Sequence, residues 1–178
     1  MSEEARLTSS DGGLVPEGGG WFVVNARDAP WWHHDTFGSS VVFEGETRFG
    51  DFGINIQVLD PGQPNCMYHA ENAQEDFLVL SGECLVLIEG EERALKQWDF
   101  VHCPPWTEHV FVGAGDGPCA ILMVGRRPEN EELLYPVVDV ARKHDAGVTT
   151  ETTSGREAYA AFDPPAAGPY REGTLPDA

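Results

Sequence analysis

From Gly53 to Val124 the chain alternates short apolar runs with turn signals every 8 to 12 residues, and no stretch in that span keeps a helical period. Only an antiparallel sandwich or barrel satisfies such a pattern. The first run, Gly53 to Leu59, sets Ile54, Ile56 and Val58 alternately with Asn55, Gln57 and Leu59, the period-two signature of a strand with one buried face. Further strands are predicted over 76–80, 84–88, 93–95, 98–103, 109–112 and 118–124. Ser81-Gly82, Glu89 to Glu92, Pro104-Pro105 and Gly113 to Gly117 separate them. Upstream, Trp21 to Val24 and Val41 to Glu44 also read as strands, whereas Trp31-Trp32-His33-His34-Asp35 reads as an aromatic loop with solvated histidines. The fold class is all-β, with a short helical segment at the C-terminal end.

A chain of 178 residues suits one domain. Residues 1–20 are polar and glycine-rich, so a flexible tail is expected there. Residues 21–125 form the barrel. Residues 126–178 form an accessory segment in which 137–144 reads as a short helix stopped by Gly147, and Ser154 to Glu157 as a capping box before Ala158 to Phe162. The prolines beyond Asp163 imply a frayed end.

The 30 acidic residues exceed the 11 Lys and Arg by enough to give a net charge of −19, which repels phosphate backbones and anionic membrane surfaces alike. Nucleic acid and membrane are therefore not expected partners. Cys66, Cys84, Cys103 and Cys119 contain no C-x-x-C pair and read as reduced structural thiols. A polar N-terminus without an apolar run, and no stretch long enough to span a bilayer, give a cytoplasmic expectation.

One stretch carries chemistry. In Tyr68-His69-Ala70-Glu71-Asn72-Ala73-Gln74-Glu75, an extended backbone puts His69 and Glu71 on one face, and a three-residue loop can return Glu75 to that face. His109 opens a later strand with Phe111 beside it. Imidazoles and carboxylates converging inside an apolar barrel need a compensating charge, which a divalent cation supplies. For the walls, Trp98, Phe100 and His102 alternate with Asp99, Val101 and Cys103, and the inward face is not set by sequence. His102, Trp98 and Phe111 are the candidate substrate-binding residues.

Gly62, six residues, His69-x-Glu71, three residues, Glu75, six residues and Gly82 resemble the first motif of the cupin superfamily: glycine, five residues, His-x-His, three or four residues, Glu, six residues, glycine. Trp98-Asp99 with Pro104-Pro105 and His109 is similar to the second motif, a Gly-Asp pair followed by proline and histidine. The resemblance covers roughly residues 53 to 124. Gln97 replaces the glycine expected before Asp99, and Glu71 stands where the second histidine usually lies.

The resemblance implies a double-stranded β-helix, or jelly-roll, barrel that binds one divalent metal through His69, Glu71, Glu75 and His109. Oxygen-rich ligands favour Mn²⁺ or Fe²⁺, and Zn²⁺ also fits. With Glu71 turned away, His69, Glu75 and His109 leave a two-histidine, one-carboxylate set with open positions. In a third arrangement Glu71 is a general base beside the metal. The expected activity is oxygenase, isomerase or lyase chemistry on a small organic molecule. The alternative is a non-catalytic barrel that binds or senses a sugar-like molecule around a structural metal. Pairing through edge strands makes a homodimer the expected assembly.

Overall fold

The computed structural model describes residues 3–175. A hairpin of β1 (Arg6–Ser10) and β2 (Gly13–Glu17) opens the chain. There follow β3 (Trp31–His34), β4 (Gly38–Val41), β5 (Phe52–Leu59), β6 (Ala70–Glu71), β7 (Glu75–Ser81), β8 (Glu83–Ile88), β9 (Glu91–Lys96) and β10 (Phe100–Cys103). β11 (His109–Ala114) and β12 (Cys119–Arg126) complete the barrel, and β13 (Leu133–Leu134), α1 (Asp139–Lys143), α2 (Gly155–Ala158) and β14 (Ala166–Gly168) lie beyond it.

Two sheets face each other. The larger has seven strands in the order β10-β7-β12-β5-β4-β3-β14, and the smaller has the order β11-β8-β9. An irregular segment widens the smaller sheet: Asn65 N–H donates to Phe111 O at 2.9 Å, and His69 and His109 exchange backbone bonds of 3.2 and 2.8 Å. Five residues from Asn65 to His69 therefore oppose three from Phe111 to His109, an irregularity that re-aims the chain before His69. Between the sheets lie Leu59, Phe77, Val79, Cys84, Val86, Cys103, Phe111, Cys119 and Ile121, all buried.

The register decides which side chains look inward. Met123 is opposite both Asn55 and Phe77, Ile121 is opposite Gln57 and Val79, and Cys103 is opposite Glu75. Asn55, Gln57 and Leu59 thus face the interior, and Ile54 and Ile56 face outward. Outside, Ala141 of α1 and Ala146 just after it cover the smaller sheet against Leu87, Val110 and Val112. The larger sheet is covered over Val41, Val58 and Ala120 by Ala29, Phe43 and Tyr170.

Several expectations change. The predicted flexible tail is ordered over 6–17, because its backbone finds partners on the following segment: Leu14 N–H donates to Asp28 O at 2.7 Å and Ala5 N–H to Trp21 O at 2.8 Å. Trp21 to Val24 makes only an isolated bridge, Glu4 with Trp21. The predicted aromatic loop is β3, and its His33 is buried, bonded through Nδ1 to Ser39 Oγ and through Nε2 to Pro169 O. The prolines near the C-terminus do not prevent β14 from pairing with β3. Half of the expected capping box forms: Ser154 Oγ accepts from Glu157 N–H at 3.3 Å, but the Glu157 carboxylate accepts from Thr152 Oγ1, and Ser154 N–H donates to Thr152 Oγ1 rather than to Glu157.

In the turn before β10 the residue with left-handed backbone is Trp98, at φ 76°, so Trp98 rather than Gln97 occupies the place where glycine would be free of strain. A non-glycine residue there costs about 1–2 kcal/mol. Its indole is 67% exposed, so packing within the chain returns little of that.

Candidate metal centre

His69 and His109 are directly opposite on neighbouring strands, so their side chains leave the same face, with ring centroids 5.2 Å apart. Glu75, the first residue of β7, reaches towards them from the other sheet, and His109 Nε2 lies 3.2 Å from Glu75 Oε2. One donor atom from each of His69, Glu75 and His109 falls within 4.8 Å of the other two. Gly125 is opposite Glu75 on β12, and a Cβ there would sit 3.6 Å from Glu75 Cγ and Oε1, so the missing side chain leaves the carboxylate room. Phe77 and Phe111, ring centroids 4.6 Å apart, form the apolar floor, with Phe77 5.2 Å from His109.

The tautomers follow from the hydrogen bonds. His69 Nδ1 is 2.9 Å from Met67 O, and His109 Nδ1 is 3.0 Å from Thr107 O. A carbonyl oxygen only accepts, so each Nδ1 carries a proton, and whenever either ring is neutral its lone pair is on Nε2. Both nitrogens are thereby prepared as ligands by their own backbone, the role that outer partners play in histidine metal sites.

Electrostatics agree with neutral imidazole at one position. Burial, then the neighbouring His109, pushes His69 down to about 4. At His109 burial pulls the same way, but the bond to Glu75 and that carboxylate's charge outweigh it and hold the ring above its usual value. Two imidazoles and a carboxylate suit a divalent ion, which would also neutralise the charge that makes Glu75 expensive to enclose.

Glu71 is placed differently from the four-ligand expectation. Among the described residues its carboxylate is not part of the converging group. It is the last residue of β6, paired with Leu133 of β13, and is half-buried. Burial, then the charges of Glu75 and Glu131, push its carboxyl up to about 7. Pairing with β13 holds its backbone at the rim, so the inward parity it shares with His69 does not bring the carboxylate to the same point.

Of the three wall candidates only Phe111 is inside, fully buried in the core. Cys103 and Val101 take the inward positions of β10, so His102 projects outward, where its Nδ1 pairs with Asp76 at 2.7 Å and its side chain is 50% exposed. Trp98 is likewise on the surface. Sequence reasoning did not single out Tyr135, whose ring lies 5.9 Å from His69, or Asn55, whose Oδ1 is buried without a partner. Nor did it place Asn65, which accepts from Phe111 N–H at 2.8 Å and offers Nδ2 to Met123 Sδ. Inward parity with Met123 would have found Asn55 had the β5–β12 register been known; Tyr135 left no local signal. Cys66 is half-buried, its Sγ 3.6 Å from His69 Nδ1, and burial holds its thiol far above the usual range.

Residues 55–125 match the family profile of the cupin domain. Over that segment the barrel is similar to cupins. Among solved cupin-like structures, the polyketide cyclase RemF from Streptomyces resistomycificus shares the fold, with TM-score 0.51 and 16% identity over 60% of this chain and 81% of the cyclase. A sugar phosphate isomerase of the cupin superfamily from Silicibacter pomeroyi is 25% identical over 64% of this chain and 69% of its own, with TM-score 0.49. The DMSP lyase DddQ from Ruegeria pomeroyi is 23% identical with TM-score 0.41, and this chain spans only 44% of that lyase. No curated protein sequence matches. No helix among the described residues is long and apolar enough to cross a membrane.

Proposed function

We propose that this protein is a metal-dependent enzyme that holds one divalent ion, Fe²⁺ or Mn²⁺ in preference to Zn²⁺, through His69 Nε2, His109 Nε2 and Glu75, and acts on a small organic molecule. The observation that carries the reading is the convergence of two Nε2 atoms, on rings whose Nδ1–H groups are held by backbone carbonyls, on one carboxylate inside an otherwise apolar barrel. Two histidines and one carboxylate leave coordination positions open, whereas a purely structural ion is normally enclosed by protein ligands. When bound, the ion would supply Lewis acidity and, if iron, oxygen chemistry.

The chain's own residues do the remainder. Phe77 and Phe111 exclude water below the site. Asn55 Oδ1, buried and unpartnered on the inner face one strand pair from Glu75, orients a hydroxyl or amine by accepting its hydrogen. Glu71, at the rim and outside the ligand group, takes up and returns a proton on the bound molecule. The charges that bear most on His69, Glu71 and His109 come from carboxylates and imidazoles rather than Lys or Arg, which favours an uncharged substrate over a phosphorylated one.

The test is metal analysis of protein purified without chelator, beside His69→Ala, His109→Ala and Glu71→Gln. Loss of metal in both histidine variants with retention in Glu71→Gln is expected. Stoichiometric metal in both histidine variants overturns the site. For turnover, metal-replete protein inert towards dioxygen and towards a panel of keto acids, sugars and phenols overturns the enzyme assignment.

A further inference from the structure

The larger sheet has seven strands and the smaller three, so part of the larger sheet's inner face needs other cover. The C-terminal segment helps to supply it: Tyr159 and Phe162 stand edge-on to Phe37, with ring centroids 5.4 and 4.8 Å away. That cover leaves a cleft of about 270 Å³. Its floor is one cross-strand row, Trp32 of β3, Ser40 of β4 and Gln57 of β5, and Asn65, Tyr159 and Pro165 also line it. None of His69, Glu75 and His109 does.

The polar groups in the cleft have capacity to spare. Gln57 is 8% exposed; its Nε2 donates to Phe37 O at 2.6 Å, and its Oε1 has no partner among the described residues. A carbonyl oxygen enclosed in that way is costly unless something donates to it. Asn65 Nδ2 meets only the thioether of Met123 at 3.9 Å, a weak acceptor, and Ser40 adds a hydroxyl. The cleft is also uncharged. No Lys, Arg, Asp or Glu lines it. His34 Nδ1 accepts from Thr36 and Phe37 N–H at 3.0 and 3.2 Å, and its Nε2 donates to Asp163 O at 2.8 Å, so that ring is neutral. Trp32 is 42% exposed, a large ring surface that an occupant would cover.

We propose that this cleft binds an uncharged aromatic molecule carrying a hydroxyl, of the phenol or naphthol type, at a site separate from the metal centre. The hydroxyl donates to Gln57 Oε1 and accepts from Asn65 Nδ2 or Ser40 Oγ, while the rings pack among Trp32, Phe37 and Tyr159. An apolar cavity of about 150 Å³ holds benzene, so two fused rings suit the larger volume here. With no charged side chain in the lining, a carboxylate or phosphate would lose its water without compensation. A sugar fares no better, since these few polar groups satisfy one or two hydroxyls and leave the others against aromatic faces.

Isothermal titration calorimetry of the full wild-type chain with naphthol is expected to show one site, with the same dissociation constant after chelator treatment and in His69→Ala, so the result does not depend on whether a metal is bound. Quinoline, which lacks the O–H that Gln57 accepts, should bind about tenfold more weakly, and naphthoate and glucose should not compete. Trp32→Ala, at an exposed position, should weaken naphthol by about tenfold with unchanged circular dichroism. Gln57→Leu should remove the preference for naphthol over quinoline, a ratio read within one variant. No binding at about 1 mM naphthol overturns the proposal. So does equal affinity for quinoline in the wild type, competition by naphthoate or glucose, or loss of binding in His69→Ala, which would put the ligand at the metal centre. An unchanged dissociation constant in Trp32→Ala overturns the assignment to this cleft.

Discussion

Gly113→Ala is predicted to be severely destabilising, for a reason the geometry makes quantitative. Gly113 lies inside β11, and a Cβ on it would stand 2.2 Å from Asp60 O, 2.8 Å from Asp60 C and 3.1 Å from Leu59 Cβ. Ordinary contact begins about 1 Å further out than the first of these, and the obstacle is backbone, which cannot swing aside. The loop must therefore lift, straining Gly62 N–H to Gly113 O at 2.8 Å and Gly113 N–H to Gln63 O at 2.9 Å. Overpacking costs roughly 1–3 kcal/mol and two impaired hydrogen bonds about 0.5–1.5 kcal/mol each, which together come to about 2–6 kcal/mol. For a chain of this size that lowers the melting temperature by roughly 4–24 °C, measurable by calorimetry. The same loop starts the segment leading to His69, and β11 starts at His109, so weaker metal retention in a chelator competition should accompany the loss. Gly125→Ala is the control, because its Cβ would meet Glu75 at an ordinary 3.6 Å. A Gly113→Ala melting temperature equal to that of Gly125→Ala would refute the reasoning.

Other outcomes follow from single contacts. The Arg127 guanidinium, bonded to both oxygens of Glu44 at 2.6 and 2.8 Å, holds that carboxyl below the usual range against the opposing effect of burial. A lowered folded value means the contribution is present above the unfolded carboxyl value, ~4.3, and is lost as pH falls below it; Glu44→Gln should flatten the acid limb of a stability–pH curve. Ser154→Ala removes the N-cap of α2 and should cost about 1 kcal/mol in denaturant titration. It should also loosen Tyr159, whose hydroxyl accepts from Met67 N–H at 2.9 Å two residues before His69. Tyr68→Phe leaves Gly90 N–H without its 3.0 Å partner, a loss of about 0.5–1.5 kcal/mol by the same measurement.

Much of the barrel was legible because period-two runs and turn residues are local signals, and β5, β7, β8, β11 and β12 lie close to where those runs stand. Cross-strand register is not local. That Cys103 rather than His102 looks inward is settled by its pairing with Glu75, so the wall residues could not be chosen from alternation alone. In β5 the polar residues Asn55 and Gln57 turn inward while Ile54 stays outside, the reverse of what hydrophobicity suggests, because Gln57 finds Phe37 O at 2.6 Å. Glu71 shares its parity with His69, yet a two-residue strand, β13, from the C-terminal segment sets its position. The hairpin at 6–17 escaped notice because its order comes from backbone partners rather than apolar content.

β14 closes the far edge of the larger sheet by pairing residues 166–168 with residues 31–33. An edge completed by segments so far apart in the chain cannot form until residues 166–168 have left the ribosome, and until then β3 offers an open ladder to any neighbouring strand. Such long-range pairing also raises the contact order, so folding should be slow for a domain of this length. During synthesis the buried Trp31 of β3 waits for Tyr170, whose ring settles 5.7 Å from it. The pairing of β14 thus sets when β3 and β4 become safe from aggregation.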